Sequence, residues 1–93
     1  WDKLKADTNL KNHGVSFDEA LTVFADPLAR IRDDPDHAVE ERREIIIGHS
    51  VKGHVLVVGF TERQTKVRII NARRAAANER KNYEENGEKQ ERR

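Results

Sequence analysis

Apolar residues are sparse along this chain, but their spacing separates helix from strand. Phe17, Ala20, Leu21 and Phe24 recur at i, i+3, i+4 and i+7, one face of an α-helix. Ser16 with Glu19 matches a capping box at its start. Asp26-Pro27 closes it, because the residue before proline avoids helical geometry. Upstream, Trp1, Leu4 and Thr8 form a weaker stripe with Leu10 beside it, predicting a helix over Trp1–Asn12. Gly14 supplies the left-handed position that ends such a helix.

Beyond Pro27 the period changes to two. Leu28–Arg32 reads as a short edge strand, followed by an acidic loop from Asp33 to Glu41. Arg42–His49 is a strand built on Ile45-Ile46-Ile47, and Ser50-Val51-Lys52-Gly53 is a hairpin turn. His54–Thr61 is apolar on both faces, which places it at the centre of a sheet covered on both sides. Glu62–Thr65 turns into a last strand, Lys66-Val67-Arg68-Ile69-Ile70. An even-numbered loop there puts Arg63, Lys66 and Arg68 on one face with Thr61 and Ile70, whereas an odd loop replaces Arg63 by Glu62. Asn71 then reads as the N-cap of a helix over Ala72–Glu85, a run of strong helix formers, with 84–93 a frayed polar end. The order ααββββα predicts one α+β domain over residues 1–93, a four-stranded antiparallel sheet with helices packed on it.

With 38% of residues charged, the core must come from these few compact segments. The chain has no Cys, which removes disulfides, a thiol nucleophile and thiolate zinc sites. No apolar run reaches membrane-spanning length and no signal peptide opens the chain, so a soluble cytoplasmic protein is expected. It opens on Trp1 rather than Met, from which we expect its natural first residues to lie upstream. The net charge of +1 hides an asymmetry: residues 1–40 hold 5 Lys/Arg against 9 Asp/Glu, and residues 41–93 hold 13 against 8. A basic side for a polyanion and an acidic side for a second partner follow.

Candidate chemistry gathers around the last strand and helix. Arg68, Arg73, Arg74 and Arg80 surround the expected helix start, where free N–H groups and guanidinium forks would together hold phosphate. Glu79, on the stripe of Ala72, Ala75, Ala76 and Tyr83, is expected to neutralise an arginine, with Arg68 the candidate partner. His13, beside Lys11 and Asn12, is the side chain suited to move a proton near neutral pH. Asp33, Asp34, Asp36 and His37 make a carboxylate-rich loop, and His49 and His54 flank a hairpin where they could face each other. Neither has diagnostic metal-ligand spacing, and a solvated loop is the preferred account of the first. No metal or other cofactor is expected. Metal-free cleavage of an RNA phosphodiester needs three things: a base for the 2′-hydroxyl, cations for the pentavalent phosphate and a proton for the leaving 5′-oxygen. Arginine suits the second task and histidine, or a lysine of depressed pKa, the first or third. Arg63, Arg68, Arg73 and His13 therefore supply the set only if the fold brings them together.

These residues resemble the BrnT toxins of bacterial type II toxin–antitoxin systems. The matching positions are Trp1, Asp2, Lys5, Asn9, His13-Gly14-Val15-Ser16-Phe17, Phe24, Asp26-Pro27, Glu41-Arg42, Gly48, Gly53, Arg63, Arg68-Ile69-Ile70, Ala72-Arg73, Ala75, Glu79 and Tyr83. The resemblance implies a RelE-like fold and a ribonuclease that inhibits translation. It further implies silencing by a BrnA-like antitoxin in a heterotetramer with paired toxin subunits, with operator DNA contacted only through the antitoxin. On that basis His13, Arg63, Arg68 and Arg73 are the candidate catalytic residues, and Lys11, Arg42, Lys66, Arg74 and Arg80 the candidate RNA contacts. Three positions depart from the pattern: Asn12 stands in place of Lys, Asn71 in place of Ser and Ala76 in place of Thr. Loss of the Lys opens the alternative of a degenerate toxin or non-catalytic RNA-binding module.

Overall fold

Asp2 starts the first helix by accepting the Leu4 amide on its side chain at 2.9 Å, and Gly14 ends it with φ +69°. In the computed structural model this helix, α1, spans Lys3–His13; the structure describes residues 1–34 and 43–91, with the backbone alone over 86–91. Ser16 then caps α2 (Phe17–Thr22) through the Glu19 amide, and a 3₁₀ turn, Val23–Ala25, carries the chain to Asp26-Pro27. Four strands follow in simple meander order: β1 (Arg30–Asp33), β2 (Arg43–His49), β3 (Val55–Arg63) and β4 (Lys66–Arg74), all antiparallel. The chain ends in α3 (Ala77–Glu91), completing the expected α+β order.

β3 is buried from Val55 to Thr61, as its two-sided apolar pattern requires. Its Leu56, Val58 and Phe60 face Val15, Phe17, Ala20 and Val23, with Ile46, Ile69 and Ala72 from the flanking strands completing the core. Gly48 sits in this face because a Cβ there would lie 2.9 Å from both the Ala29 Cβ and an Asp26 oxygen. α1 meets the sheet through Asn9 rather than through its apolar stripe: Leu4 and Leu10 are exposed and Asn9 is buried.

The closing segment departs most from expectation. Asn71 is not an N-cap; β4 runs on through it to Arg74, and the helix begins only at Ala77. Pairing decides against helix propensity here. Val58 lies opposite Ala72, Leu56 lies opposite Arg74, and Asn9 bonds both the N–H and the C=O of Ala72 along the outer edge. A register shift at Gly59/Phe60 leaves Ile70 as the extra residue of a bulge. Arg73 and Arg74 are therefore strand residues on opposite faces, and no helix-start phosphate site forms around them.

The Ala76 carbonyl accepts the Arg80 amide at 2.9 Å, which makes Ala76 the N-cap of α3. Glu79, three residues on, bonds the Ala76 amide at 2.8 Å, half of a capping box whose other half needs a hydroxyl. Ala76→Ser supplies it. We expect about 1 kcal/mol of added helix stability, read as slower amide exchange over 77–80; unchanged exchange would refute the capping geometry.

Candidate active site

Partners opposite one another in the register share a face, so the sheet can be read row by row. On the face turned away from α1 and α2, one row is Arg30, Ile47, Val57 and Arg73, and the next is Arg32, Ile45, Gly59 and Asn71. The third is Arg43, Thr61 and Arg68, and the last is Arg63 and Lys66. The Gln64-Thr65 turn is the even loop that this arrangement needs, with Gln64 at φ +56°. Thr61 and Arg68 share that face as expected, while Ile70 is removed to the bulge. The result is a shallow surface with an apolar floor at one end and arginines along both margins.

The four candidate catalytic residues take different places around this surface. Arg63 and Arg68 line one open groove with Lys66, Thr61 and Trp1. His13 ends α1 and lines a separate groove with Asn12, Ile70 and Asn71. Asn71 lies between Arg68 and Arg73 on β4, with its side-chain oxygen over Gly59, so the His13 groove opens beside the basic face. Arg73 is held by Glu79 in a two-pronged ion pair, Nη1 to Oε1 at 2.7 Å and Nη2 to Oε2 at 2.9 Å. The partner of Glu79 is thus Arg73 and not Arg68. That pairing, aided by the Ala76 amide, holds the Glu79 carboxyl down at about 2.

Of the candidate RNA contacts, Lys66 lies in the Arg63/Arg68 groove and Lys11 is exposed on the last turn of α1. Arg80 stands on α3 with Glu84 at 3.9 Å. Arg74 points to the helix-covered side, where its Nη2 lies 3.2 Å from His54 Nε2. Arg42, like Asp36, His37 and Glu41, lies outside the described residues. Asp33 belongs to β1 rather than to a loop, opposite Glu44.

Two polar clusters carried no pattern in the sequence. Glu19 is buried and accepts from Ser50 Oγ at 2.7 Å, with His54 Nδ1 at 2.9 Å. Burial pushes its carboxyl up, but these two partners hold it below the usual range. Beside the end of β2, Asp26 accepts the His49 amide at 2.7 Å, the Leu28 amide at 2.9 Å and the Tyr83 hydroxyl. Burial raises the Tyr83 hydroxyl and the bond to Asp26 raises it further, so it serves as a fixed donor anchoring α3. His49 and His54 therefore serve different clusters and do not face each other. Among the described residues no three of His, Cys, Asp and Glu gather as a metal-ligand set, and no helix is long and apolar enough to cross a membrane.

A family model described as the ribonuclease toxin BrnT of type II toxin–antitoxin systems matches residues 1–79. No curated protein matches the chain.

Proposed function

The chain belongs to the BrnT family of ribonuclease toxins of type II toxin–antitoxin systems, and from that premise we propose a metal-independent endoribonuclease that works on the arginine-lined sheet face. The observation that carries this reading is the register. It gathers Arg30, Arg32, Arg43, Arg63, Lys66, Arg68 and Arg73 on one side of the sheet, although the chain as a whole is nearly neutral. An open cationic surface of this kind tracks a polyanion rather than enclosing a small molecule.

In the proposed reaction His13 takes the proton of the ribose 2′-hydroxyl as that oxygen attacks the adjacent phosphorus. Arg68 and Arg73 stabilise the charge of the pentavalent phosphate, and Arg63 and Lys66 hold the flanking backbone. The 5′-oxygen leaves and is protonated from solvent, giving a 2′,3′-cyclic phosphate and a 5′-hydroxyl. Lys11, Arg42 and Arg80 are proposed as further RNA contacts, whereas Arg74, turned to the helix-covered side, lies off this face. In the cytoplasm a BrnA-like antitoxin is the proposed inhibitor, bound in a heterotetramer with paired toxin subunits and carrying the contacts to operator DNA.

Purified protein incubated with bulk RNA in EDTA should yield fragments with 5′-hydroxyl ends. A strict Mg²⁺ requirement would refute the metal-free mechanism. Protein that binds RNA without cutting it, with or without Mg²⁺, would establish the non-catalytic reading instead.

A further inference from the structure

We propose that Trp1 is a stacking platform for one unpaired base of the RNA, with the adjoining phosphates held by Arg63, Lys66 and Arg68; the identification of the ligand as RNA rests on the proposed function. Trp1 lines the same open groove as those three cations. Phe17, Phe60 and Tyr83 are buried and Phe24 packs on the core, whereas half of the Trp1 surface is exposed. Among the described residues it is thus the one Phe, Tyr or Trp ring that stands in water beside the basic face.

Two contacts hold the ring in place. Its centroid lies 5.7 Å from that of Phe17 with the planes at 86°, an edge-on arrangement. Such a contact covers at most one face of the indole, so Phe17 leaves the other open to a ligand. Phe17 is itself part of the buried core, which gives the ring a fixed seat. The backbone beside it is fixed as well, because Asp2 caps α1 by accepting the Leu4 amide at 2.9 Å. A ring already held in this way loses little rotamer freedom when a base stacks on it.

The register places the cations. Thr61 stands opposite Arg68 and Arg63 opposite Lys66, all on the basic face, while Val67, opposite Glu62, belongs to the helix-covered face. The groove therefore crosses the end of the sheet, with the cations on one margin and Val67 with Trp1 on the other. Its volume is about 700 Å³, within the ~300–1,000 Å³ that holds a drug-sized ligand, so a nucleotide with its phosphates fits. A stacking ring beside a cationic track is the combination that binds single strands. Every base has a π face, so the platform reads no sequence. It selects unpaired RNA over duplex, whose bases are already stacked on one another.

Trp1 is the chain's single tryptophan, so its fluorescence reports on the platform directly. The probes, added to the full chain, are a single-stranded 2′-O-methyl oligonucleotide, which cannot be cleaved through its 2′-oxygen, the same strand annealed as a duplex, and an abasic strand with as many phosphates. Binding is followed in parallel through a label on each probe, and cleavage of bulk RNA is assayed in the same preparation. The single strand should quench Trp1, whereas the duplex and the abasic strand should bind without quenching. Trp1→Leu should weaken binding of the single strand by roughly tenfold and leave the abasic strand unchanged, and Trp1→Tyr, which keeps a ring, should restore most of the loss. A single strand that fails to bind or binds without quenching, equal quenching by the abasic strand, or equal losses for both strands in Trp1→Leu would each overturn the platform. If RNA is cut while the single strand leaves Trp1 unquenched, the platform alone falls. If the single strand quenches Trp1 but RNA is not cut, the platform stands and the cleavage mechanism falls.

Discussion

Replacing Asn9 by Ala should lower stability by about 3 kcal/mol, more than any other single change to a polar side chain in α1. Its amide accepts the Ala72 N–H at 3.0 Å and donates to the carbonyls of Ala72 at 2.8 Å and Val15 at 2.9 Å. Truncation leaves three buried backbone groups without partners, each worth roughly 1–3 kcal/mol, with water recovering part of the loss at the sheet edge. For a domain of this size ~3 kcal/mol corresponds to a fall in Tm of roughly 12–24 °C. Asn9→Asp should not rescue the fold, since a carboxylate would face two carbonyl oxygens with no donor to offer them. Asn12→Ala, on the exposed side of the same helix, should stay within ~0.5 kcal/mol of the parent. A melting temperature for Asn9→Ala within a few degrees of the parent would show that α1 is not what seals β4.

Asn9 also shows where reading the chain falls short. It sits on a helix whose apolar stripe points elsewhere, so nothing in local pattern marks it as the most buried contact of α1. The Ser16 cap, the stop at Gly14 and the doubly buried β3 were legible because each depends on neighbours in sequence. The Glu19 carboxylate, by contrast, leaves the expected capping box for Ser50 and His54. The continuation of β4 through Asn71-Ala72-Arg73 was not. Its helix-forming residues are held extended by β3 and by Asn9, sixty-three positions away in the chain. Propensity is a weak prior where a buried strand offers its hydrogen bonds.

The candidate site divides the same way. Alternation put Lys66 and Arg68 on one face but left Arg63 or Glu62 to join them, and the two-residue turn decides for Arg63. Which anion each cation meets was beyond reach, because Glu79 meets Arg73 only once the helix start has moved to Ala77. Arg30 drew no notice in an edge strand of mixed pattern, and it joins the basic face only through the row that it shares with Ile47, Val57 and Arg73.

Arg68→Ala should lower kcat for RNA cleavage by more than tenfold with little change in the melting temperature. Arg68 is exposed on the sheet face opposite Thr61, with Arg63 and Lys66 lining the same groove. A donor that meets charge developing on the phosphate is worth roughly 2.7–4 kcal/mol, or about 10²–10³ in rate. A cation that only holds the ground-state backbone acts differently. Its loss raises KM, leaves kcat alone and flattens the salt dependence. The split between kcat and KM therefore assigns Arg68 its role. Lys66→Ala, on the outermost row, should show the KM pattern, and Arg68→Lys should recover little, because a point charge cannot reproduce the planar fork. Arg73→Ala should match Arg68→Ala in kcat while also releasing Glu79, so its melting temperature should fall where that of Arg68→Ala does not. Parental cleavage rates in both folded variants would remove the arginine face from the chemistry.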